Sequence, residues 1–353
     1  MSINCGDDLN QLLTQEKPVA AIVMQQFLRP ITGDVIYPPT YAGTPDDPKS
    51  RYNLNKTRNG FIATIDSIPS QANRIEPLFM SKEFSALVPQ IQVIAGDSAK
   101  NLLEMGHRLA DAAIRFTTLN SDISAAFNAY KLQGNATPLA KLSPTSLIFG
   151  AWDSRAIHTQ TKIPRIFTAE ILATDVEELT NRFSTFNAVF DYNQLGLSKD
   201  EASSAGFSNA LGSALGGVIV HGQIKRTISL NLSGLKQLKG ETEQQTHLLQ
   251  AYLLGLGLIA LFVPINCDLR QGCHLVPDAQ KIVVKAVLQD GSDVLLNLDF
   301  ADIKQFAIDA AHQFGVGENK DIIFDTELMQ QLLSGAKEKK ESKGKAKKAK
   351  DAN

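Results

Sequence analysis

The chain has 353 residues, 43% hydrophobic and 20% charged, a composition that supports at least one substantial core and excludes disorder throughout. Its formal net charge is −2, but residues 337–353 hold eight Lys against three acids; without them, 27 of the 35 basic and 34 of the 37 acidic residues remain, about −7. Bulk charge therefore excludes indiscriminate nucleic-acid binding, and any grip on phosphates has to come from a local basic groove.

Three cysteines, Cys5, Cys267 and Cys273, give no paired framework and suit a reducing compartment. Residues 1–13 carry Asp7 and Asp8 and no apolar run of signal-peptide type, so the expectation is a cytoplasmic protein with no membrane partner. Residues 19–27 are β-branched and apolar and end at Arg29-Pro30, which predicts a buried strand closing in a turn. Residues 32–59 hold Gly33, Pro38, Pro39, Gly43, Pro45 and Pro48 and read as a long insertion, functional or disordered. A second strand is predicted over 60–68, followed by a polar helix or turn from Ser70. Helices are predicted over 98–116, from Leu102, Leu109, Ala113 and Phe116, and over 121–130. Strands are predicted over 145–151, 163–173 and 224–232, the last placing Ile224, Arg226, Ile228 and Leu230 on one face and Lys225, Thr227 and Ser229 on the other.

Residues 195–222 contain Gly196, Gly206, Gly212, Gly216, Gly217 and Gly222 among Ser and Ala, and read either as a phosphate-tracking loop or as a flexible insertion. A long helix fits 241–262. Its apolar window, 251–265, is shorter than a membrane span and carries Gly255, Gly257 and Pro264, so it is expected to be buried. A strand pair over 281–288 and 293–298 turns at Gly291, and a helix over 303–314 ends at Gly315. Strands and helices mix without strict alternation, which predicts an α+β fold: one domain over 1–335 with insertions near 32–59 and 195–222. Residues 336–353 read as a disordered Lys-rich tail, for solubility or for added attraction to RNA.

Enzyme chemistry finds little purchase. Cys267, Cys273 and His274 lack zinc-knuckle spacing and a nearby fourth ligand; no His-Glu-x-x-His pair, Gly-x-Ser-x-Gly elbow or Walker loop occurs. No cofactor, metal or catalytic residue is expected. Asp66 and Asp153 follow apolar strands and give the one alternative, a Mg-dependent ribonuclease; strand-end acids also make turns or pair with Arg.

Two polar clusters suit recognition without proton transfer. Residues 66–76, Asp-Ser-Ile-Pro-Ser-Gln-Ala-Asn-Arg-Ile-Glu, set amides, hydroxyls and a guanidinium directly after a strand, for phosphates, sugars and base edges or for a loop-stiffening network through Glu76. Residues 143–155 carry the single Trp of the chain, Trp152, which either stacks on a base beside Arg155 or belongs to a core.

These two segments resemble signature stretches of the crRNA-binding backbone subunit of type I-U (I-G) CRISPR Cascade, a RAMP-superfamily protein. The resemblance extends over residues 106–113 with Arg115, residues 165–170, Gly216-Gly217-Val218 and Ile224-Lys225-Arg226, and covers roughly 18–315. It implies an RRM-like (ferredoxin-like) palm with inserted finger and thumb elements, and copies lying head to tail along one guide RNA. It also implies pairing of the guide with target DNA, contact with other Cascade subunits, and cleavage left to a recruited helicase-nuclease, so the chain itself is expected not to be an enzyme. Residues 195–222 are longer and richer in Ser and Ala than the resemblance implies, and the tail lies outside it. Together the clusters and the resemblance give the expected RNA contacts: Arg58, Gln71, Asn73, Arg74, Trp152, Arg155, Arg165 and Arg226.

Overall fold

The computed structural model describes residues 2–4, 9–14, 18–43, 45, 51–58, 60–153, 161–264, 266 and 268–331. The tail at 336–353, Arg155, Cys5 and Cys267 lie outside the described residues. The elements that carry the fold are β1 (Val19–Pro30), β2 (Gly60–Asp66), α1 (Ile68–Ile75), β3 (Phe167–Glu178), β4 (Arg182–Phe186), β5 (Ala210–Ala214), β6 (Ile224–Asn231), α2 (Glu243–Phe262), β7 (Cys273–Leu288), β8 (Asp293–Asn297) and α3 (Phe300–Phe314). Their mixture is α+β, as the irregular alternation predicts.

Alternating side chains give β1 and β6 one buried and one half-exposed face. Ile224, Arg226, Ile228 and Leu230 are buried on β6 while Lys225, Thr227 and Ser229 stay half-buried. In space the strands run β8-β7-β1-β6-β3, with β2 also pairing β3, and every pair among them is antiparallel. Counting β1, β3, β6 and β7 alone, the spatial order is fourth, first, third, second in the chain.

The helix predicted over 241–262 is α2, opened by Thr242, whose hydroxyl accepts from Gln245 N at 3.2 Å. It is apolar on nearly every side because it is buried on nearly every side: from Leu249 to Leu261 all its residues but Ala251 are buried. Two glycines allow that depth. A Cβ on Gly255 would lie 2.8 Å from Ala307 Cα in α3, and one on Gly257 would lie 2.7 Å from Leu230 Cδ1 in β6. Among the described residues α2 is the one helix long and apolar enough to cross a membrane, and two-thirds of its most apolar window (67%) is buried within the protein.

The buried face of the sheet holds two apolar cores. The larger one joins Ile22, Met24, Ile228 and Leu230 to α2 and the helical segments 72–149. The smaller one gathers Leu28, Ile36, Tyr52, Ala63, Ile65, Ala173, Ile224 and Leu275. Between them one row crosses the sheet: Gln26 pairs with Arg226, Arg226 with Ile171, and Ile171 with Asp66. Three of these four side chains are polar, and they separate the cores by a hydrogen-bonded seam.

Several local expectations differ from the fold. Residues 98–116 form not one helix but a strand, Ser98–Asn101, then tight turns and a short helix, Ala112–Arg115. Asn101 breaks the helical path: its side chain accepts from Leu103 N at 3.0 Å while Glu104 takes Asn101 N at 3.1 Å. Residues 145–151 are mainly helix, Pro144–Ile148, started by Ser143 with Pro144 in the first turn; only Ala151–Trp152 is strand. The whole segment is buried, so its continuous apolar run carries no period to tell the two apart. The long insertion 32–59 supplies the strands Val35–Ile36, Thr40–Tyr41, Arg51–Tyr52 and Leu54–Thr57. The glycine-rich stretch 195–222 contains a capped helix, Lys199–Ala205, then β5 and the strand Val218–Val220. Gly216 and Gly222 admit neighbouring protein backbone, a Cβ on Gly216 meeting Leu179 O at 2.6 Å and one on Gly222 meeting Thr174 O at 2.5 Å, whereas Gly196 and Gly206 face open space.

Candidate nucleic-acid interface

The cluster after β2 folds as α1 because Ser67 caps it, accepting from Ser70 N at 3.4 Å, and Pro69 sits in its first turn. The helix then turns Gln71, Ala72 and Ile75 inward and leaves Asn73 exposed. At its start Asp66 is 1% exposed and accepts from four side chains: Ser70 Oγ at 2.8 Å, Gln71 Nε2 at 2.6 Å, Arg74 Nε at 3.1 Å and Arg270 Nη2 at 3.3 Å. Gln71 Oε1 in turn accepts from Arg226 Nε at 2.9 Å, and Arg226 Nη1 reaches Gln26 Oε1 at 3.0 Å. Arg74 Nη2 also donates to Leu269 O at 2.9 Å and Arg270 Nη2 to Ile65 O at 2.8 Å. Three guanidiniums thus surround one carboxylate, two directly and one through an amide.

A second set of buried ion pairs joins three segments far apart in sequence. Glu76 Oε2 lies 2.7 Å from Arg108 Nε, and both side chains are buried. Burial pushes the Glu76 carboxyl up to about 7, against the opposing pull of Arg108. Arg108, held in the left-handed region at φ 53°, donates through Nη1 to Gly150 O at 3.2 Å and lies 5.3 Å from the Phe149 ring centroid. Arg115 Nη2 meets Asp153 Oδ1 at 3.1 Å, again with both side chains buried. The segment Phe149–Asp153 is therefore clamped on each side of Trp152, which is itself 64% exposed. Trp152 pairs across a two-stranded ladder with Lys162, and Asp153 N donates to Thr161 O at 3.0 Å. Gly150, at φ 80°, is the point of closest approach: a Cβ there would lie 2.7 Å from Arg165 Cγ. On α1, Asn73 Nδ2 lies 3.7 Å from where a Cβ on Gly106 would stand.

The expected contacts therefore separate into three groups. Trp152 and Arg165 are exposed, on the clamped segment and just beyond its neighbouring strand, with Lys162 paired to Trp152, while Asn73 is exposed on α1 beside Gly106. Gln71, Arg74 and Arg226 belong to the Asp66 network; Arg226 is 1% exposed and Gln71 fully buried, so these two cannot offer direct contacts from the surface and act instead as internal supports. Arg74 keeps a partly exposed side chain. Arg58 is exposed in the turn before β2, at the opposite end of that strand from Asp66, and is not brought together with the rest. Arg108, Arg115 and Arg270 are parts of the frame that the list of contacts missed. Their signal was an Arg beside apolar neighbours, facing an acid that no single segment could pair.

Neither Asp66 nor Asp153 is an open carboxylate: each is 1% exposed and bound to arginine. Cys273 is buried, and burial pushes its thiol up, which disfavours the thiolate a metal would need. His274 Nδ1 lies 2.8 Å from Asp268 Oδ1. Among the described residues no three His, Cys, Asp or Glu side chains gather as metal ligands.

Comparison with known families bears on this frame directly. A family described as CRISPR-associated protein GSU0053 matches residues 22–178. The match supports a CRISPR-associated protein, and its span contains α1, both clamping arginines and the whole of the Trp152 segment. It stops just before the β4–β5 ribbon. No curated protein matches the chain.

Proposed function

We propose that the protein is a non-catalytic backbone subunit that binds guide RNA in a multi-subunit CRISPR surveillance complex, of the RAMP-type found in type I-U/I-G Cascade. The observation that carries this reading is the exposed Trp152, set between two buried Arg–acid pairs with Lys162 opposite it and Arg165 against the neighbouring Gly150. A large indole held in solvent by a rigid frame is a stacking platform for an unpaired base, and the cations beside it suit phosphates. The acids that would serve hydrolysis are instead closed against arginines, so the frame supports binding without cleavage.

The strand order fourth, first, third, second, with α1 and α2 on one face, supports an RRM-like palm. The β4–β5 ribbon takes the part of the thumb, and the insertion 32–59 with the segments 76–149 takes that of the fingers. Copies lie head to tail along crRNA, each neutralising a few phosphates, which reconciles RNA binding with a modest total charge. Target DNA is read by pairing with the guide, other Cascade subunits bound the filament, and a recruited helicase-nuclease cuts.

Fluorescence anisotropy with labelled single-stranded RNA tests the reading. Trp152→Ala combined with Arg165→Glu is expected to weaken binding by about 10- to 100-fold, the effect of losing one stacked base and one phosphate contact. Wild-type protein that stays a monomer and ignores RNA would refute the reading.

A further inference from the structure

A cleft that Trp152 does not line lies at the base of the β4–β5 ribbon. It has a volume of about 320 Å³ and its polar lining includes Tyr37, Thr40, Tyr52, Arg182, Arg270 and Gln271. That is room for one nucleotide-sized group. Among the described residues no Asp or Glu lines it.

Its walls are fixed by backbone. Tyr37 N donates to Gly272 O at 3.1 Å, and Gly272, at φ 76°, admits the Tyr37 ring where a Cβ would stand only 2.3 Å from Cδ2. Tyr52 Oη accepts from Gly217 N at 3.1 Å, and Gly217, at φ 94°, lets Val35 approach in the same way. On this floor the Arg182 guanidinium lies over the Tyr37 ring, 4.9 Å from its centroid, with Nη1 3.3 Å from Tyr37 Oη. Arg182 is exposed, so the outer face of its guanidinium is open. Arg270 enters from the seam, where it shares the single Asp66 carboxylate with Arg74. One acid serving two guanidiniums leaves excess positive charge behind the cleft.

We propose that this cleft holds one nucleotide of single-stranded RNA, its base stacked on the outer face of the Arg182 guanidinium and its phosphate against Arg270. A guanidinium plane backed by a tyrosine ring is a three-layer stack with the base, and stacking of bases on Arg planes is a general mode of single-strand recognition. Gln271 and Thr40 supply donors and acceptors for the sugar and the base edge. The inference rests on the RNA-binding reading above and adds a contact point other than Trp152, at the root of the ribbon.

The test uses full-length protein and a 4-thiouridine-substituted 12-nucleotide RNA, with crosslinked peptides identified by mass spectrometry and affinity read by anisotropy. Adducts are expected in the segments around Tyr37, Arg182 or Gln271 as well as at Trp152. Arg182→Glu, on an exposed ribbon residue, is expected to weaken binding about 10-fold and to lower the slope of log K against log salt by about one, leaving the Trp152 adduct in place. Binding with a Trp152 adduct but no adduct at the cleft, and an Arg182→Glu affinity equal to wild type, would overturn this site alone. Absence of any RNA binding by wild type would overturn both readings. A cleft protected by uridine monophosphate but never crosslinked by the RNA would assign it to free nucleotides and overturn the RNA assignment.

Discussion

At the scale of single residues the polar side chains divide into those that touch solvent and those that hold them in place. Asp66 is the clearest of the second kind, since removing its carboxylate strands Arg74 and Arg270 and loosens the Gln71–Arg226 link. Asp66→Ala is expected to cost about 3–5 kcal/mol, as for one partner of a buried ion pair, measured as a lowered urea midpoint. A variant as stable as wild type would remove Asp66 from the frame. Glu76 gives a pH dependence of defined sign. Its folded carboxyl titrates at about 7, above the ordinary glutamate value of 4.5, so between those two values the folded state binds more protons than the unfolded one. The Glu76 contribution to stability is therefore greatest below pH 4.5 and is lost as pH rises through 7. Comparing the urea midpoints of wild type and Glu76→Gln from pH 4.5 to 8 isolates it: the wild type should lose stability relative to the variant as pH rises, and parallel curves would contradict the assignment. The sequence placed Arg226 on the apolar face of its strand, beside Ile224 and Ile228, and that position already implied burial. Its partner Gln71 lies 155 residues away, and no local pattern links them.

At the scale of elements, legibility followed periodicity. The edge-to-edge alternation of β6, the long apolar run of α2 and the stop of α3 at Gly315 were readable because each has one dominant environment along its length. Residues 98–116 and 143–153 were not, because their backbone path is set by local side-chain caps at Asn101 and Ser143 and by buried ion pairs to residues far away in the chain. The two glycines of α2 make a sharp element-level prediction. At Gly255 a methyl group would strike the Ala307 backbone, whereas at Gly257 it would meet only the end of the Leu230 side chain. Gly255→Ala should therefore lower stability by about 1–3 kcal/mol through overpacking. Gly257→Ala should cost less, since Leu230 can move and alanine favours helix by about 1 kcal/mol. Chemical denaturation of the two variants side by side checks the order, and a larger loss at Gly257 would place the tight contact wrongly.

At the scale of the whole molecule, the β4–β5 ribbon is the part that the chain leaves unfinished. A two-stranded ribbon has little stability of its own, yet this one exposes Phe183 (63%) and Phe186 (53%), and the connection beyond it exposes Val189 and Phe190. Exposed apolar surface is a recurrent feature of protein contact sites. A projecting apolar element that docks on a different surface of an identical copy generates an open, head-to-tail series rather than a closed pair. That symmetry is what the proposed role along RNA requires. Because Phe183, Phe186 and Phe190 lie outside both apolar cores, replacing all three by Ser should leave the unfolding free energy of the monomer, from urea denaturation, within about 0.5 kcal/mol of wild type. The same variant should bind a short RNA with one site's affinity but fail to build multi-copy assemblies on a long one, read by analytical ultracentrifugation. Assemblies of unchanged size would move the copy-to-copy contact elsewhere on the surface, and a lowered midpoint would mean that the ribbon packs on its own chain.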